Sequence, residues 1–352
     1  MKKFLISSYL DMNLGDSLLL EALLNHFIHY DCYVIADNKA TYKWIEDQYS
    51  NVTVINDKNI NELFLRDISD YIKIGGSIFQ HNYWYEGIFR YKELKKIWYY
   101  KSKGLKIHIV NCNIGPINSN IGIGSTKGIL KIADTISCRD NRSLDFIKNC
   151  VSPNKVAKFI DLVFAFDMKK YQDSQEFILG ISVYTAYIKH LMNKNYQYCQ
   201  QLKTLIDSYH SQNKNLKVKL FVFDTFRNND FPNTWIIYQY CQNKDIDVEI
   251  IAYNGYSTVM LNEMAKCSLI IGTRFHSIVI SLKLQIPFIP VSYSNKTFEF
   301  LYDLGYTGPL FSFGETIENY NENFNRQSLF ILSKQEIQNY SAEAKKHIDF
   351  LL

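Results

Sequence analysis

An arginine and a histidine at the junction of a strand and a helix are the residues of this sequence best suited to chemistry. An apolar run at 269–271 leads into a small-residue turn, and Arg274 and His276 stand where a helix is predicted to begin. A helix N-terminus offers free N–H groups and partial positive charge, so a guanidinium and an imidazole there favour binding of phosphate or carboxylate. The structural alternative is that Arg274 pairs with a neighbouring carboxylate and His276 caps the helix.

A lysine follows the next predicted strand. The strand at 288–291 contains Pro290 and leads into a loop with Tyr293 and Lys296. Because the carboxyl ends of parallel strands share one edge of a sheet, we expect Lys296 to bring a second cation to the same anion site.

The tetrapeptide Asn13-Leu14-Gly15-Asp16 comes directly after the first predicted strand. Its structural interpretation is a turn in which Gly15 adopts unusual backbone angles and Asp16 caps the following helix. In its functional interpretation Asp16 lies at the ligand end of the strand, hydrogen-bonds an acceptor hydroxyl and acts as its base. Asn13, Gly15 and Asp16 are therefore candidate acceptor-binding residues.

A second strand end carries two glycines and then a run of aromatic residues. Gly75 and Gly76 would let backbone N–H groups approach a ligand closely, although a glycine pair is also an ordinary turn. The aromatic residues that follow, among them Trp84, predict either a stacking platform for a sugar ring or a helix that packs its aromatic side chains into the core.

The elements that must position these residues alternate between short apolar runs and longer stretches of helical periodicity, which is typical of βαβ units with a mostly parallel sheet. The predicted strands are 4–8, 33–36, 71–74, 107–111, 135–137, 177–183, 218–223, 248–251, 269–271 and 288–291. The predicted helices are 16–30, 195–212, 231–243, 258–266, 276–284 and one from 333 onward. The pattern predicts two series of βαβ units.

A polar connector near 167–176 separates the two series. The predicted organisation is a Rossmann-like lobe at 1–168, a second Rossmann-like lobe at 169–314 and a helical segment at 315–352 that braces the lobes. A length of 352 residues also favours two domains. We expect ligand in the cleft between the lobes, beyond the carboxyl ends of the strands.

Composition excludes several function classes. The formal charge is only +4 and the lysines are scattered among acidic residues, so nucleic acid is not expected as a partner. The mild positive excess suits an anionic small substrate, or loose contact with an acidic membrane surface. The eight histidines are dispersed along the chain, and no metal site is predicted.

The cysteines and the apolar runs bear on location. Seven cysteines without a CxxC pair are typical of reduced thiols in a cytosolic protein. The apolar run at 4–6 is too short for a signal peptide, and no run approaches the roughly 18 apolar residues that a spanning helix needs. We expect a cytoplasmic protein that is soluble or at most peripheral at the inner face of the membrane.

The segment RFHSIVISLKLQIPFIPVSYSNKTFEFLYDLG, which starts at Arg274, resembles the C-terminal signature of the polysaccharide pyruvyl transferases. It has the Arg-x-His, the Pro-containing strand and the Tyr-x-x-Lys of that family. Segments 13–16, 75–77, 113–116 and 137–143 agree as well, so the resemblance spans about residues 1–310. It implies the glycosyltransferase-B-like fold, an α/β architecture with two Rossmann-like lobes facing a cleft.

The resemblance implies that pyruvate moves from phosphoenolpyruvate to a sugar of a cell-surface polysaccharide, or its precursor, as a ketal. Arg274 and His276 inherit contacts with the phosphate and carboxylate of phosphoenolpyruvate by motif position, which puts the donor on the second lobe and the acceptor on the first. One departure is Tyr184, which stands with Val183 and Thr185 where the family often places an arginine. Arg139 or Lys296 would supply the missing charge, or Tyr184 marks a changed substrate.

The expected chemistry needs fixed positive charge, an acid and a base. His276 is the expected general acid because histidine titrates near working pH, and Asp16 the expected base. Gly75, Gly76 and Trp84 would contact the acceptor sugar, which is free or lipid-linked. No cofactor is expected, since phosphoenolpyruvate serves as co-substrate.

Two other functions fit the same residues. A nucleotide-sugar-dependent glycosyltransferase of the same fold would bind its phosphates at the same helix start. A non-catalytic member that binds glycans would fit the loss of the arginine near Tyr184.

Overall fold

The computed structural model describes residues 2–38, 42–81, 83–168, 176–226, 228–316 and 329–352. The chain divides into two compact units. The first unit contains Met1–Leu10, Asp16–Phe166 and Asn339–Leu352, and the second contains Asp11–Gly15 and Asp167–Gln338. Most of the polar connector predicted near 167–176 lies outside the described residues.

The first unit is a parallel sheet with helices between its strands. Its strands are β1 (Lys3–Ser8), β2 (Asp31–Ile35), β3 (Val52–Ile55), β4 (Asp70–Ile74), β5 (Phe79–His81), β6 (Lys106–Cys112), β7 (Ile114–Ile117), β8 (Thr135–Cys138) and β9 (Val156–Lys158). Its helices are α1 (Leu14–His26), which enters the first unit at Asp16, α2 (Lys43–Gln48), α3 (Glu62–Leu65), α4 (Glu86–Ser102), α5 (Asn120–Ile132) and α6 (Asn141–Lys148). The sheet order is β3-β2-β1-β4-β6-β8-β9, and β5 pairs with β7.

The second unit repeats the plan. Its strands are β10 (Ile178–Val183), β11 (Lys217–Val222), β12 (Asp247–Ala252), β13 (Leu269–Gly272), β14 (Phe288–Ser292) and β15 (Phe311–Ser312). Its helices are α7 (Lys189–Met192), α8 (Asn195–Gln212), α9 (Phe231–Gln242), α10 (Ser257–Ala265), α11 (Phe275–Lys283) and α12 (Asn295–Asp303), and α13 (Lys334–Asp349) follows. The sheet order is β12-β11-β10-β13-β14-β15, with all pairs parallel.

The central strands are apolar because both of their faces are buried. Every residue of β10 is buried, and Leu179 and Ile181 pack in one core with Ile271 of β13 and Ile289 of β14. In a parallel sheet that helices cover on both sides, such strands are continuous apolar runs rather than alternating ones. The predicted α/β fold class with mostly parallel sheets is confirmed.

Several boundaries differ from the prediction. Helix α1 ends at His26 rather than at residue 30, because the chain turns there and the Asn51 amide donates hydrogen bonds of 2.8 and 2.7 Å to the carbonyls of Phe27 and Tyr30. The units divide between Phe166 and Asp167, close to the predicted 168/169. In place of a separate bracing segment at 315–352, Asn339–Leu352 belongs to the first unit; residues 317–328 lie outside the described part of the chain.

Candidate active site

The turns after three adjacent strands of the second unit bring polar residues together. In the sheet, β10 lies between β11 and β13, and the three strands run parallel. Tyr184 follows β10, Asp224 follows β11 and Arg274 follows β13, so all three stand at the carboxyl edge of the sheet. This is the edge at which open parallel sheets bind ligands.

Arg274 is buried at this edge and fastened to a carboxylate. Its Nε donates to Asp230 Oδ2 at 3.0 Å and its Nη2 to Asp230 Oδ1 at 2.7 Å, while Nη2 also donates to the Asn228 carbonyl at 2.9 Å. Such bidentate pairs fix the plane of the guanidinium. The Nη1 group donates no hydrogen bond to any residue within the described ranges, so it is the edge that remains for an anion.

Two buried carboxylates share this one arginine. Asp230 also accepts from the backbone N–H of Thr185 at 3.1 Å, and Asp224 Oδ2 lies 3.7 Å from Arg274 Nη2. Burial raises the pKa of the Asp230 carboxyl to about 6, against the opposing influence of Arg274. Asp224 in turn accepts from the Asn13 amide at 3.3 Å, which ties the segment 11–15 to the site.

Tyr184 occupies the position at which the resemblance leads one to expect an arginine. Its ring lies under the Arg274 guanidinium, 4.6 Å from the guanidinium carbon, and stacks on Tyr293 with centroids 4.2 Å apart. An aromatic face stabilises a desolvated cation. Tyr184 therefore supports the neighbouring arginine instead of adding a cation of its own.

His276 stands in the first turn of α11 and packs against Gly15. A Cβ at position 15 would lie only 1.8 Å from His276 Nδ1, so only glycine fits there beside the ring. Residues 13–15 and the Arg-x-His motif, more than 250 residues apart in sequence, thus meet in the second unit. Their contact joins two motifs that the sequence analysis singled out.

The structure corrects the predicted roles within 13–16. Helix α1 begins at Leu14, and the Asn13 side chain accepts the Gly15 N–H at 2.9 Å. Asn13 is therefore the capping residue, and the predicted cap at Asp16 is wrong because Asp16 lies inside the first turn. Gly15 has a helical backbone conformation. Glycine is needed there because a side chain would occupy the space of the His276 ring, and not because of an unusual backbone angle.

Lys296 is also placed differently from the prediction. It is the second residue of α12 and is half-buried, not part of a loop. The helix starts early because the Ser292 hydroxyl and the backbone of Ser294 bond to each other and turn the chain directly after β14.

The remaining predicted site residues lie in the first unit. Gly75 has φ of +151°, a conformation that favours glycine. A Cβ on Gly76 would lie 2.7 Å from an Nη of Arg139, so the guanidinium packs directly on the glycine backbone. Arg139 forms a short ion pair with the buried carboxylate of Asp161. Arg139 therefore packs on the glycine turn at Gly75 and Gly76 within the first unit.

Trp84 lies in the turn before α4 and is 70% exposed. Nearby, Tyr83 and Tyr85 stack on each other with centroids 5.4 Å apart, and Phe89 is 62% exposed. The alternative in which this run packs into the core is wrong for these four residues, although Phe79 of β5 is fully buried.

Two classes of feature are missing from the part of the chain that the structure covers. No group of three or more histidine, cysteine or acidic residues is arranged to hold a metal ion among the described residues. Within the same ranges, no helix has the length and apolarity to cross a membrane.

Asp224 and Asp230 were not predicted as site residues from the sequence. A carboxylate directly after the apolar strand FVF was the signal for Asp224, because strand ends collect ligand-site residues in this fold. Asp230 stands 44 residues before Arg274, and nothing local marks it as the partner of that arginine.

Solved structures place the chain in a known class of fold. It is similar to UDP-GlcNAc 2-epimerase from Neisseria meningitidis bound to UDP-GlcNAc, with a TM-score of 0.59, 10% identity and coverage of 100% of this chain and 99% of that one. It is also similar to TcCGT1 in complex with UDP, with a TM-score of 0.51, 8% identity and coverage of 99% and 93%. The fold is therefore the two-unit, glycosyltransferase-B-like α/β class.

The family is narrower than the fold. The model of the polysaccharide pyruvyl transferase family matches residues 13–295, and the chain belongs to that family. The match spans both the Asn13 segment and the Arg-x-His motif. No curated protein matches this sequence.

Proposed function

We propose that this protein transfers pyruvate from phosphoenolpyruvate to a sugar of a cell-surface polysaccharide or its precursor, forming a pyruvate ketal. The observation that carries the proposal is the packing of His276 on Gly15, because it joins two motifs that lie within the family match at 13–295. The buried Arg274 of the same motif keeps its Nη1 edge for an anionic donor, because its pairing with Asp230 uses Nε and Nη2.

The proposed reaction has three steps. A proton adds to the methylene carbon of phosphoenolpyruvate, and one sugar hydroxyl attacks the central carbon as that carbon becomes cationic. A second hydroxyl of the same sugar then displaces inorganic phosphate and closes the ketal. The two hydroxyls release two protons: one replaces the proton that was added to the methylene carbon, and the other leaves on the phosphate. Fixed donors around the two anions lower the barrier because they need no reorganisation during reaction.

We assign the donor to residues of the second unit, with Arg139 as a further candidate from the first. Nη1 of Arg274 would meet the carboxylate, while Lys296 and the N-terminal end of α11 would meet the phosphate. His276 would be the general acid, placed in the first turn of that helix.

We assign the acceptor to the segment 13–16 and to residues of the first unit. Asp16 would take the hydroxyl proton, with Asn13 and Gly15 next to it in the chain. Gly75, Gly76 and the exposed Trp84 would contact the sugar ring. The proposal places the protein in the cytoplasm, at the inner face of the membrane when the acceptor is lipid-linked, with phosphoenolpyruvate as co-substrate and no cofactor.

The test measures release of inorganic phosphate from phosphoenolpyruvate with a panel of sugar acceptors, and the mass of the product. We expect acceptor-dependent release and a pyruvylated product, with loss of at least about 100-fold in His276→Gln, the scale of a general acid. Tyr302→Ser, at a residue that is 85% exposed, is the matched control and should keep full activity.

Arg274 needs a different variant, because removing it would leave Asp230 buried without its cation. Arg274→Lys keeps the charge and loses the bidentate geometry, so we expect a higher KM for phosphoenolpyruvate in a folded protein. Absence of turnover with every acceptor, together with no calorimetric binding of phosphoenolpyruvate, would reject the donor assignment.

A nucleotide-sugar glycosyltransferase is the second candidate function. One observation favours it. Arg274 donates three hydrogen bonds to Asp230 and Asn228, so only its Nη1 group remains to bind a donor carboxylate. The two similar structures hold UDP-GlcNAc and UDP. Calorimetric binding of UDP without binding of phosphoenolpyruvate would support this candidate, and glycan binding without turnover would support a non-catalytic member.

A further inference from the structure

Helix α4 carries an outward face of aromatic and lysine side chains. We define this outer face as Ile88, Tyr91, Lys92, Lys95, Trp98 and Tyr99. Their spacing of three and four residues puts them on one side of a helix. The exposed fractions are 44% for Ile88, 46% for Tyr91, 63% for Trp98 and 37% for Tyr99, so the face is open to solvent along the whole helix.

The opposite side of α4 already holds the helix in place. Ile97 and Tyr100 are buried, and Leu94 packs on Gly128 of α5, where a Cβ would lie 2.9 Å from a Leu94 methyl. Glu93 pairs with both Lys73 and Arg90 beneath the helix. The buried contacts of α4 thus come mainly from its inner side, and of the outer face Tyr99 meets the ring of Tyr100 with centroids 6.2 Å apart.

The charge of the outer face is positive. Lys92 lies over the ring of Phe89 at 5.8 Å and Lys95 over the ring of Tyr91 at 4.7 Å, and neither forms an ion pair within the described ranges. The other lysines of this region are neutralised, since Lys96, Lys101 and Lys103 pair with Asp57, Asp134 and Glu62.

The acidic residues of α4 do not compensate this charge. Glu93 is turned inward, and Glu86 accepts the Tyr83 N–H at 3.0 Å at the start of the helix. A binding partner of the outer face must therefore carry negative charge and have an apolar region in which aromatic side chains can be buried.

Self-association fits this face poorly. A twofold contact would place the same patch against itself, so Lys92 and Lys95 would face the lysines of the second copy. An interfacial lipid layer fits better, because tryptophan, tyrosine and lysine side chains bury their apolar parts while their polar ends stay in the headgroup region.

We propose that the outer face of α4, with Tyr85 in the preceding turn, docks the protein onto the surface of an anionic membrane. A helix of 17 residues lies about 25 Å along the surface. The lysines would meet anionic headgroups, and the aromatic rings would enter the boundary between headgroups and acyl chains. This inference does not depend on the reaction that the protein catalyses.

The test is co-sedimentation of the purified protein with vesicles of phosphatidylcholine alone, or with roughly one third phosphatidylglycerol. We expect binding to the anionic vesicles that weakens with salt, and little binding to neutral ones. Lys92→Glu with Lys95→Glu should lower the partition coefficient at least about tenfold, because four charge units change at the surface. Lys189→Glu with Lys214→Glu, at exposed lysines of the second unit, is the matched control and should bind as the parent does.

Tryptophan fluorescence locates the contact. Brominated phosphatidylglycerol should quench the parent, and quenching should fall in Trp98→Phe but be kept in Trp235→Phe. Equal binding to both vesicle types, unchanged binding of the Lys92 and Lys95 variant, or quenching that is unchanged in Trp98→Phe would overturn the proposal. A dimer in sedimentation velocity that Trp98→Ser abolishes would also overturn it, and would assign the face to a second copy.

Discussion

The imidazole of His276 fills the space that a side chain at position 15 would need. Gly15→Ala places a methyl group 1.8 Å from Nδ1, so either the ring or the start of α1 must move. We expect a loss of about 1–3 kcal/mol in stability, as for overpacking, and a fall of at least about tenfold in phosphate release.

Gly124 provides the control for that substitution. It lies in α5, and a Cβ added there would have no heavy atom within 4 Å, so Gly124→Ala should keep activity and raise stability by up to about 1 kcal/mol. Thermal melts and the phosphate assay compare the two. Equal behaviour of both variants would show that the His276 contact does not constrain position 15.

Asp230 holds Arg274 through two hydrogen bonds in a buried site. Asp230→Asn removes the negative charge that balances the guanidinium. We expect the free energy of unfolding to fall by about 3 kcal/mol, because the buried cation loses the compensating charge of its partner. Asp207→Asn breaks an exposed pair with Lys244 and should cost at most about 1 kcal/mol. Denaturant unfolding measures both, and equal losses would contradict a stabilising role for the buried pair.

At this scale the sequence identifies types of residue better than their partners. Arg274 and His276 were found because a strand, a turn and a helix start are local patterns. The carboxylate on Arg274 and the ring under it come from other loops, at Asp230 and Tyr184, and only the sheet order brings them together. The pairing was therefore beyond sequence reasoning, even though pairing with a carboxylate was one of the two alternatives.

At the scale of the element, the sequence often contains several equivalent signals for the residue at which a helix or strand begins, and the folded chain uses one of them. Asparagine and aspartate are nearly equal as N-caps, so the segment 13–16 offers two starts, and the register that satisfies the Gly15 N–H selects Asn13. Strands β10 and β13 were predicted almost to the residue because they are fully buried and mostly apolar. Strands β3 and β9 were not predicted, since they are short and only partly buried.

Helix α13 anchors itself through a buried histidine. His347 Nε2 donates to the Ile160 carbonyl at 2.9 Å, and Nδ1 accepts from the Ser137 hydroxyl at 2.7 Å. Burial lowers the pKa of His347 to about 4, so the unfolded chain takes up a proton first as pH falls. The neutral ring stabilises the fold fully above about pH 6.5, and we expect a loss of about 3 kcal/mol as pH falls toward 4.

His347→Gln isolates this contribution because glutamine cannot titrate. The difference in unfolding free energy between parent and variant should shrink as pH falls from 7 to about 4, whatever the other groups do. Denaturant titrations across that pH range make the comparison. A difference that stays constant with pH would mean that His347 is not held neutral.

On the scale of the whole molecule, the two units do not follow the order of the chain. The first unit is completed by Asn339–Leu352, and the second includes Asp11–Gly15. Sequence patterns predicted a boundary near 168 because polar residues interrupt the series there. The return of the last helix could not be predicted, since an amphipathic helix shows that it packs but not where.

Ending the chain at Gln338 tests the return of the last helix. The truncation removes His347 and also Glu343, whose carboxylate accepts the Ile160 N–H at 3.0 Å. We expect faster amide exchange in β8, β9 and the segment 159–166, with unchanged protection in β10–β14. Uniform loosening of both units, or none, would contradict the assignment of Asn339–Leu352 to the first unit.

The divided first unit sets an order of events on the ribosome. Its sheet is synthesised first, yet its last helix emerges only after the entire second unit has been made. The nascent sheet must therefore wait with the surface around Ser137 and Ile160 uncovered, while the second unit gains all its strands in one continuous stretch. Although translation runs from the first unit to the second, the first should be the later of the two to reach its native state.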